Sequence, residues 1–134
     1  MKLRIHKDSI RFRFTRGEVE TLSSGQALEE SVAVGPLAHQ ALTYRVAPEN
    51  SVAENPRIRA EFEANKLTVS VPSQILQAWH EGEPLAIESE QNWATGKVRI
   101  LLEKDMQRLN PKEGDDTRGV YPNPLFGKVR CDHP

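Results

Sequence analysis

Lys2, Arg4, Arg11 and Arg13 alternate with Leu3, Ile5, Ile10, Phe12 and Phe14 in two short runs near the start of the chain. Successive side chains of a strand point to opposite faces. Lys7-Asp8 between the runs suits a turn, so the pair reads as a hairpin with all four cations on its polar face. Like charges that face each other across a ladder destabilise it, so something negative must offset them. Two sources are open: the glutamates Glu18, Glu20, Glu29 and Glu30 in solvated ion pairs, or an anionic ligand or protein partner. Arginine suits either role, because its planar fork meets a carboxylate or phosphate with two parallel hydrogen bonds. Lys2, Arg4, Arg11 and Arg13 are therefore the candidate binding residues.

A second group suggests metal-assisted phosphoryl chemistry. Glu61-Phe62-Glu63 followed by lysine is similar to the opening strand of the triphosphate-tunnel enzymes. Those are closed eight-stranded barrels with glutamate, glutamate and lysine at alternate lumen-facing positions. Carboxylates there would hold a cation and basic groups the phosphate. In this chain position 65 is Asn and the basic residue is Lys66, one place late and on the opposite face of an unbroken strand. Cys131 and His133 offer a third possibility, as metal ligands with Asp115, Asp116 or His80 completing the shell. A structural zinc site needs four ligands, usually as paired short spacings, and only one such group is visible. His6 and His39 read as surface residues, Trp79 as core, and Trp93 as an exposed loop contact. No phosphate-cradling glycine loop, serine elbow or His-Glu metal motif occurs; no catalytic residue is assigned and no cofactor is expected.

These residues need a frame, and the sequence predicts one made twice. Arg57–Glu63 and Lys66–Val71 alternate around Ala64-Asn65, as a second hairpin. Pro72-Ser73 then starts a helix carrying Ile75, Leu76 and Trp79, with Gly82 ending it. In the first half, Thr15 and Glu18 have capping-box spacing, the helix carries Val19 and Leu22, and Gly25 is the expected left-handed stop. An offset of 57 lays Ile10, Phe12 and Phe14 on Leu67, Val69 and Val71. It also lays Asp8 on Asn65, Val19 on Leu76, Leu22 on Trp79 and Gly25 on Gly82. Each half continues into two further strands, Ala27–Val34 with Ala41–Val46, and Leu85–Glu88 with Val98–Leu102.

The expected fold class is α+β: tandem duplicated ββαββ units in a mostly antiparallel sheet or sheets, two short helices and an irregular C-terminal tail. One domain spans 1–134, with repeats at 2–47 and 57–103, a linker at 48–56 and an extension at 104–134. One copy has too few apolar anchors to offset its chain entropy, so a shared core is expected.

With 37% hydrophobic and 28% charged residues in 134, the composition is that of one soluble globular domain. The formal net charge of −1 argues against a uniformly basic nucleic-acid binder. A single cysteine allows no internal disulfide and fits a reducing compartment. No apolar run has the length of a signal peptide core or a membrane span, so a cytoplasmic protein without a membrane partner is expected.

The chain resembles a family of small uncharacterised bacterial proteins, a domain of unknown function. The residues that carry the likeness are Met1-Lys2-Leu3-Arg4-Ile5, Ser9-Ile10-Arg11-Phe12-Arg13-Phe14 and Glu18-Val19 at the front. Leu42-Thr43-Tyr44, Val71-Pro72, Glu103-Lys104-Asp105 and Tyr121-Pro122-Asn123-Pro124 continue it almost end to end. The family pattern often has a cysteine just before Leu109, where this chain has Arg108. The resemblance implies a bacterial cytosolic protein and no mechanism. The leading expectation is a non-enzymatic binding module that meets an anion or protein partner through the arginine face. The alternatives are a metal-dependent phosphohydrolase with a polar β-tunnel, and a protein that self-associates through strand edges as a homo-oligomer.

Overall fold

The computed structural model describes residues 1–50, 54–105 and Tyr121. Alternating runs become strands and the two expected helical runs become helices, in the order β1 (Lys2–His6), β2 (Ser9–Phe14), α1 (Arg16–Ser23), β3 (Leu28–Ala33), β4 (Ala41–Glu49), then β5 (Arg59–Glu63), β6 (Lys66–Pro72), α2 (Ser73–Glu81), β7 (Ala86–Trp93), β8 (Gly96–Lys104). Strand–strand–helix–strand–strand thus occurs twice, in an α+β fold. The strands form two mixed sheets of four, ordered β1-β2-β8-β7 and β3-β4-β6-β5, called sheet A and sheet B below. All four sequence-adjacent pairs are antiparallel hairpins, whereas β2 meets β8 and β4 meets β6 in parallel. Each sheet is therefore one hairpin from each half, joined at its centre.

Local chemistry explains the ends of the elements. Thr15 caps α1, accepting from the Glu18 amide while the Glu18 carboxylate accepts from the Thr15 amide at 2.9 Å. After α1, Gly25 has φ +98, a conformation open to glycine at no steric cost. Gly82 departs from the expected parallel with it. Its φ is −93; it caps α2 in an extended conformation with its amide donating to the Ala78 carbonyl, and a Cβ there would lie 2.5 Å from that oxygen. β4 runs on to Glu49, two residues into the stretch expected as linker, and Pro48 pairs with Val71. β3 stops opposite Val46, so beyond it that side of β4 is an open edge where a missing N–H costs no ladder bond.

The apolar faces of both sheets and the inner sides of both helices meet in one core. Phe12, Phe14, Ile100 and Leu102 of sheet A pack with Val46, Val69 and Val71 of sheet B and with Val19, Leu22, Leu76 and Trp79 of the helices. The Phe14 ring meets Trp79 edge-on at 5.8 Å, and Phe12 of sheet A lies 6.3 Å from Tyr44 of sheet B. At one side the Gln91 amide of β7 donates to and accepts from the Ala60 backbone of β5, tying an edge of sheet A to an edge of sheet B. Tyr121 packs back onto the domain: its amide donates to the Asp105 carbonyl and its ring lies against the core. Among the described residues no helix is long and apolar enough to cross a membrane.

Candidate functional site

The outward face of sheet A is laid out by the ladder register. Lys2 stands opposite Arg13 and Arg4 opposite Arg11, and β8 brings Glu103 beside Arg13 and Leu101 beside Arg11. All four expected cations therefore share one face, as neighbours. The glutamates expected to offset them are elsewhere. Glu18 is taken by the Thr15 amide and the Met1 amino group, and Glu29 holds Lys66 at 2.8 Å and Arg45 at 3.8 Å on sheet B. The carboxylate that does reach them is Glu103, with Oε1 2.9 Å from Arg11 Nε and Oε2 3.3 Å from Arg13 Nε. The Arg13 contact is an aligned hydrogen bond, but the buried Arg11 Nε–H is out of line and unsatisfied. Lys2 Nζ reaches Asp105 at 3.3 Å.

Arg4 makes no ion pair among the described residues. It borders a recess of about 80 Å³ with His6, Ser9 and Arg11. Farther along the same face Arg99 pairs with Glu88 at 2.9 Å, and that hydrogen bond holds the guanidinium above its ordinary pKa. Leu101 is only 8% exposed although it points outward. The stems of long basic side chains can cover apolar surface in this way while their heads stay in water. Glu103 is the residue of this face missed from sequence. It is 90 positions from Arg13, and only the parallel β2–β8 pairing joins them. A wider recess of about 680 Å³ opens between residues 55–59 and β7. Three of its four charged lining groups are already matched, Arg59 with Glu49 and Glu90 with Lys97.

The tunnel arrangement does not form around Glu61 and Glu63. Both are exposed on the outward face of sheet B, while the inner face at that strand holds the buried Ala60. A turn separates the strands, so Lys66 stands directly opposite Glu63 and shares its face. The unbroken-strand geometry that set Lys66 on the other face does not apply. Among the described residues no three His, Cys, Asp or Glu side chains gather as metal ligands. Cys131 and His133, like Asp115 and Asp116, lie outside the described residues. Trp79 is buried in the core as expected. Trp93, expected in a loop, is the last residue of β7 and stands exposed opposite Gly96.

One buried cation was not anticipated. Lys104, 6% exposed, takes an inward position on β8 beside Phe14. Its Nζ donates to the Gly82 carbonyl at 3.1 Å, at the C-terminal end of α2, where the helix dipole favours positive charge. The Tyr121 ring receives both Lys104 Nζ, at 5.3 Å, and the Arg16 guanidinium, at 5.2 Å. Burial lowers the Lys104 pKa from its ordinary 10.5. Between the lowered value and 10.5 the unfolded chain binds the extra proton, so this residue makes stability rise with pH in that window. Burial raises the Tyr121 hydroxyl above 10.0, so its own titration comes later. Lys104→Met is expected to remove the rise, checked by urea unfolding at steps from about pH 8 to 10.5.

A family model describing a family of unknown function, DUF7009, matches residues 1–125. The chain belongs to that family. The match takes in every strand and both helices of the described residues, so the arginine face and the Lys104–Tyr121 cluster both fall inside the DUF7009 region. No curated protein matches the chain.

Proposed function

We propose that this DUF7009 chain is a binding module whose contact surface is the outward face of sheet A. Its seat is the recess between Arg4, His6, Ser9 and Arg11, and its ligand is an oxyanion, a carboxylate or phosphate carried by a partner or free in solution. The observation that carries this is the Arg4–Arg11 cross-strand pair, in which Arg4 has no carboxylate among the described residues. Two guanidiniums held side by side present donors in the pattern that oxyanions accept. A recess of about 80 Å³, against about 30 Å³ for one water, suits a single oxyanion group rather than a nucleotide.

We also read the two ββαββ runs as copies of one unit, 2–47 and 57–103, within a single domain. On that reading the cations are an addition to one copy, because the positions matching Arg4 and Arg11 are Glu61 and Thr68. A cytoplasmic location goes with this function, since a chain with one cysteine relies on no internal disulfide.

Titration with inorganic phosphate tests the proposal, followed by calorimetry and by amide shifts at Arg4 and Arg11. Arg4→Ala is expected to weaken binding by roughly tenfold or more, the effect of losing a charge-assisted contact. Binding that Arg4→Ala leaves intact, or no binding at millimolar phosphate together with none to a phosphorylated or acidic peptide, would overturn it.

A further inference from the structure

The four chain reversals at Lys7–Asp8, residues 34–40, Ala64–Asn65 and Ala94–Thr95 gather at one end of the molecule. β2 runs directly into α1 and β6 directly into α2, and the helices touch each other, with Gln77 donating to the Ser23 carbonyl. Parallel pairing makes β8 run with β2 and β4 with β6, so these four strands all head toward the helix pair. The turns that precede them therefore collect at the far end. Within each sheet they are linked: the Arg99 amide donates to the Asp8 carbonyl, the Thr43 amide to the Asn65 carbonyl, and the Asn65 side chain to the His39 carbonyl.

Every large apolar side chain left exposed among the described residues lies at this end. Ile5, Val32, Val34, Leu37, Phe62 and Trp93 are 39% to 67% exposed, and each lies in a reversal or within two residues of one. Ile5 and Phe62 are on the inward faces of their sheets, in the ladder rows of Ile10 and Leu67, but beyond the helices' cover. With fully buried aromatic side chains worth about 150–250 Å² each, the six together expose apolar area on the order of 500 Å², shared among the four reversals. A polar rim would bring that near the ~800 Å² per partner of a standard interface.

We propose that this end is a homodimer interface and that its occupant is a second copy of the chain. The charges select that partner. Lys7 at the tip of sheet A and Glu63 at the tip of sheet B make no ion pair among the described residues. In a two-fold contact, Lys7 of each copy meets Glu63 of the other, so the pairing is satisfied twice. Lipid docking would call for a net basic rim, and this rim is mixed. A net charge of −1 per copy imposes little repulsion between two. The surface is distinct from the arginine face and does not rest on its function.

Sedimentation equilibrium and light scattering over a wide concentration range, on the full chain, test this. Phe62→Asp is expected to weaken the dimer by about a hundredfold, as charge placed in a buried apolar contact does. Lys7→Glu and Glu63→Lys should each weaken it about tenfold, and their combination should restore it, which only a reciprocal contact between copies explains. Unchanged circular dichroism and melting establish that these exposed-tip variants fold. A chain monomeric at every concentration would overturn the proposal, whether or not the monomer binds anionic vesicles or its own C-terminal segment at this end. So would a dimer indifferent to Phe62→Asp.

Discussion

Trp79→Ala is expected to cost about 3–5 kcal/mol, the range measured when a buried Trp or Phe is cut back in a core. Trp79 is 1% exposed. It comes from α2, meets Phe14 of sheet A edge-on, and belongs to the cluster that includes β6 of sheet B. Its removal opens a hole where both sheets and a helix meet, and backbone elements cannot all close on it together. Since domains of this size are stable by about 5–15 kcal/mol, the loss is a large share of the total. Trp79→Phe should be far milder. The indole N–H is buried without a hydrogen-bond partner among the described residues, and a phenyl ring removes that unsatisfied donor while filling much of the same space. Urea unfolding followed by circular dichroism ranks the two. A small loss for the alanine variant would mean that helix and sheets do not share one core.

What could be read from sequence was whatever alternation and capping encode locally. The hairpins around Lys7-Asp8 and Ala64-Asn65, the Thr15–Glu18 box and the burial of Val19, Leu22, Leu76 and Trp79 all follow from short-range spacing. Alternation states which face a residue joins, but neither its neighbouring strand nor what covers that face. The parallel β2–β8 and β4–β6 contacts were therefore invisible, and with them the approach of Glu103 to Arg11 and Arg13. Phe62 shows the second limit: its face is inward as its spacing implies, but the core ends before it and leaves it 59% exposed. Lys104 shows a third. A lysine closing the apolar run Val98–Leu102 reads as a solvated strand end, and only the return of Tyr121 and the nearby end of α2 enclose it.

Glu103→Gln should move stability and anion affinity in opposite directions. The carboxylate is the shared counter-charge of Arg11 and Arg13, with its side chain 19% exposed. A hydrogen bond to a charged group contributes about 1.5–3 kcal/mol when shielded and less when one partner is wet. Arg11 and Arg13 are each a third or more exposed, so the loss should be about 1 kcal/mol or less. Lys2, Arg4, Arg11 and Arg13 would then repel one another across the β1–β2 ladder without their main internal offset. The same change frees two guanidiniums, so inorganic phosphate should bind several-fold more tightly to the variant than to the parent chain. Phosphate present in excess should also return part of the lost stability, because a ligand that binds only the folded state raises it by mass action. Added sodium chloride should shrink the stability difference, since exposed charges at these separations are screened. A face made only of solvated ion pairs would lose stability in the same way but gain no affinity, so the phosphate titration of Glu103→Gln separates a binding surface from a merely charged one.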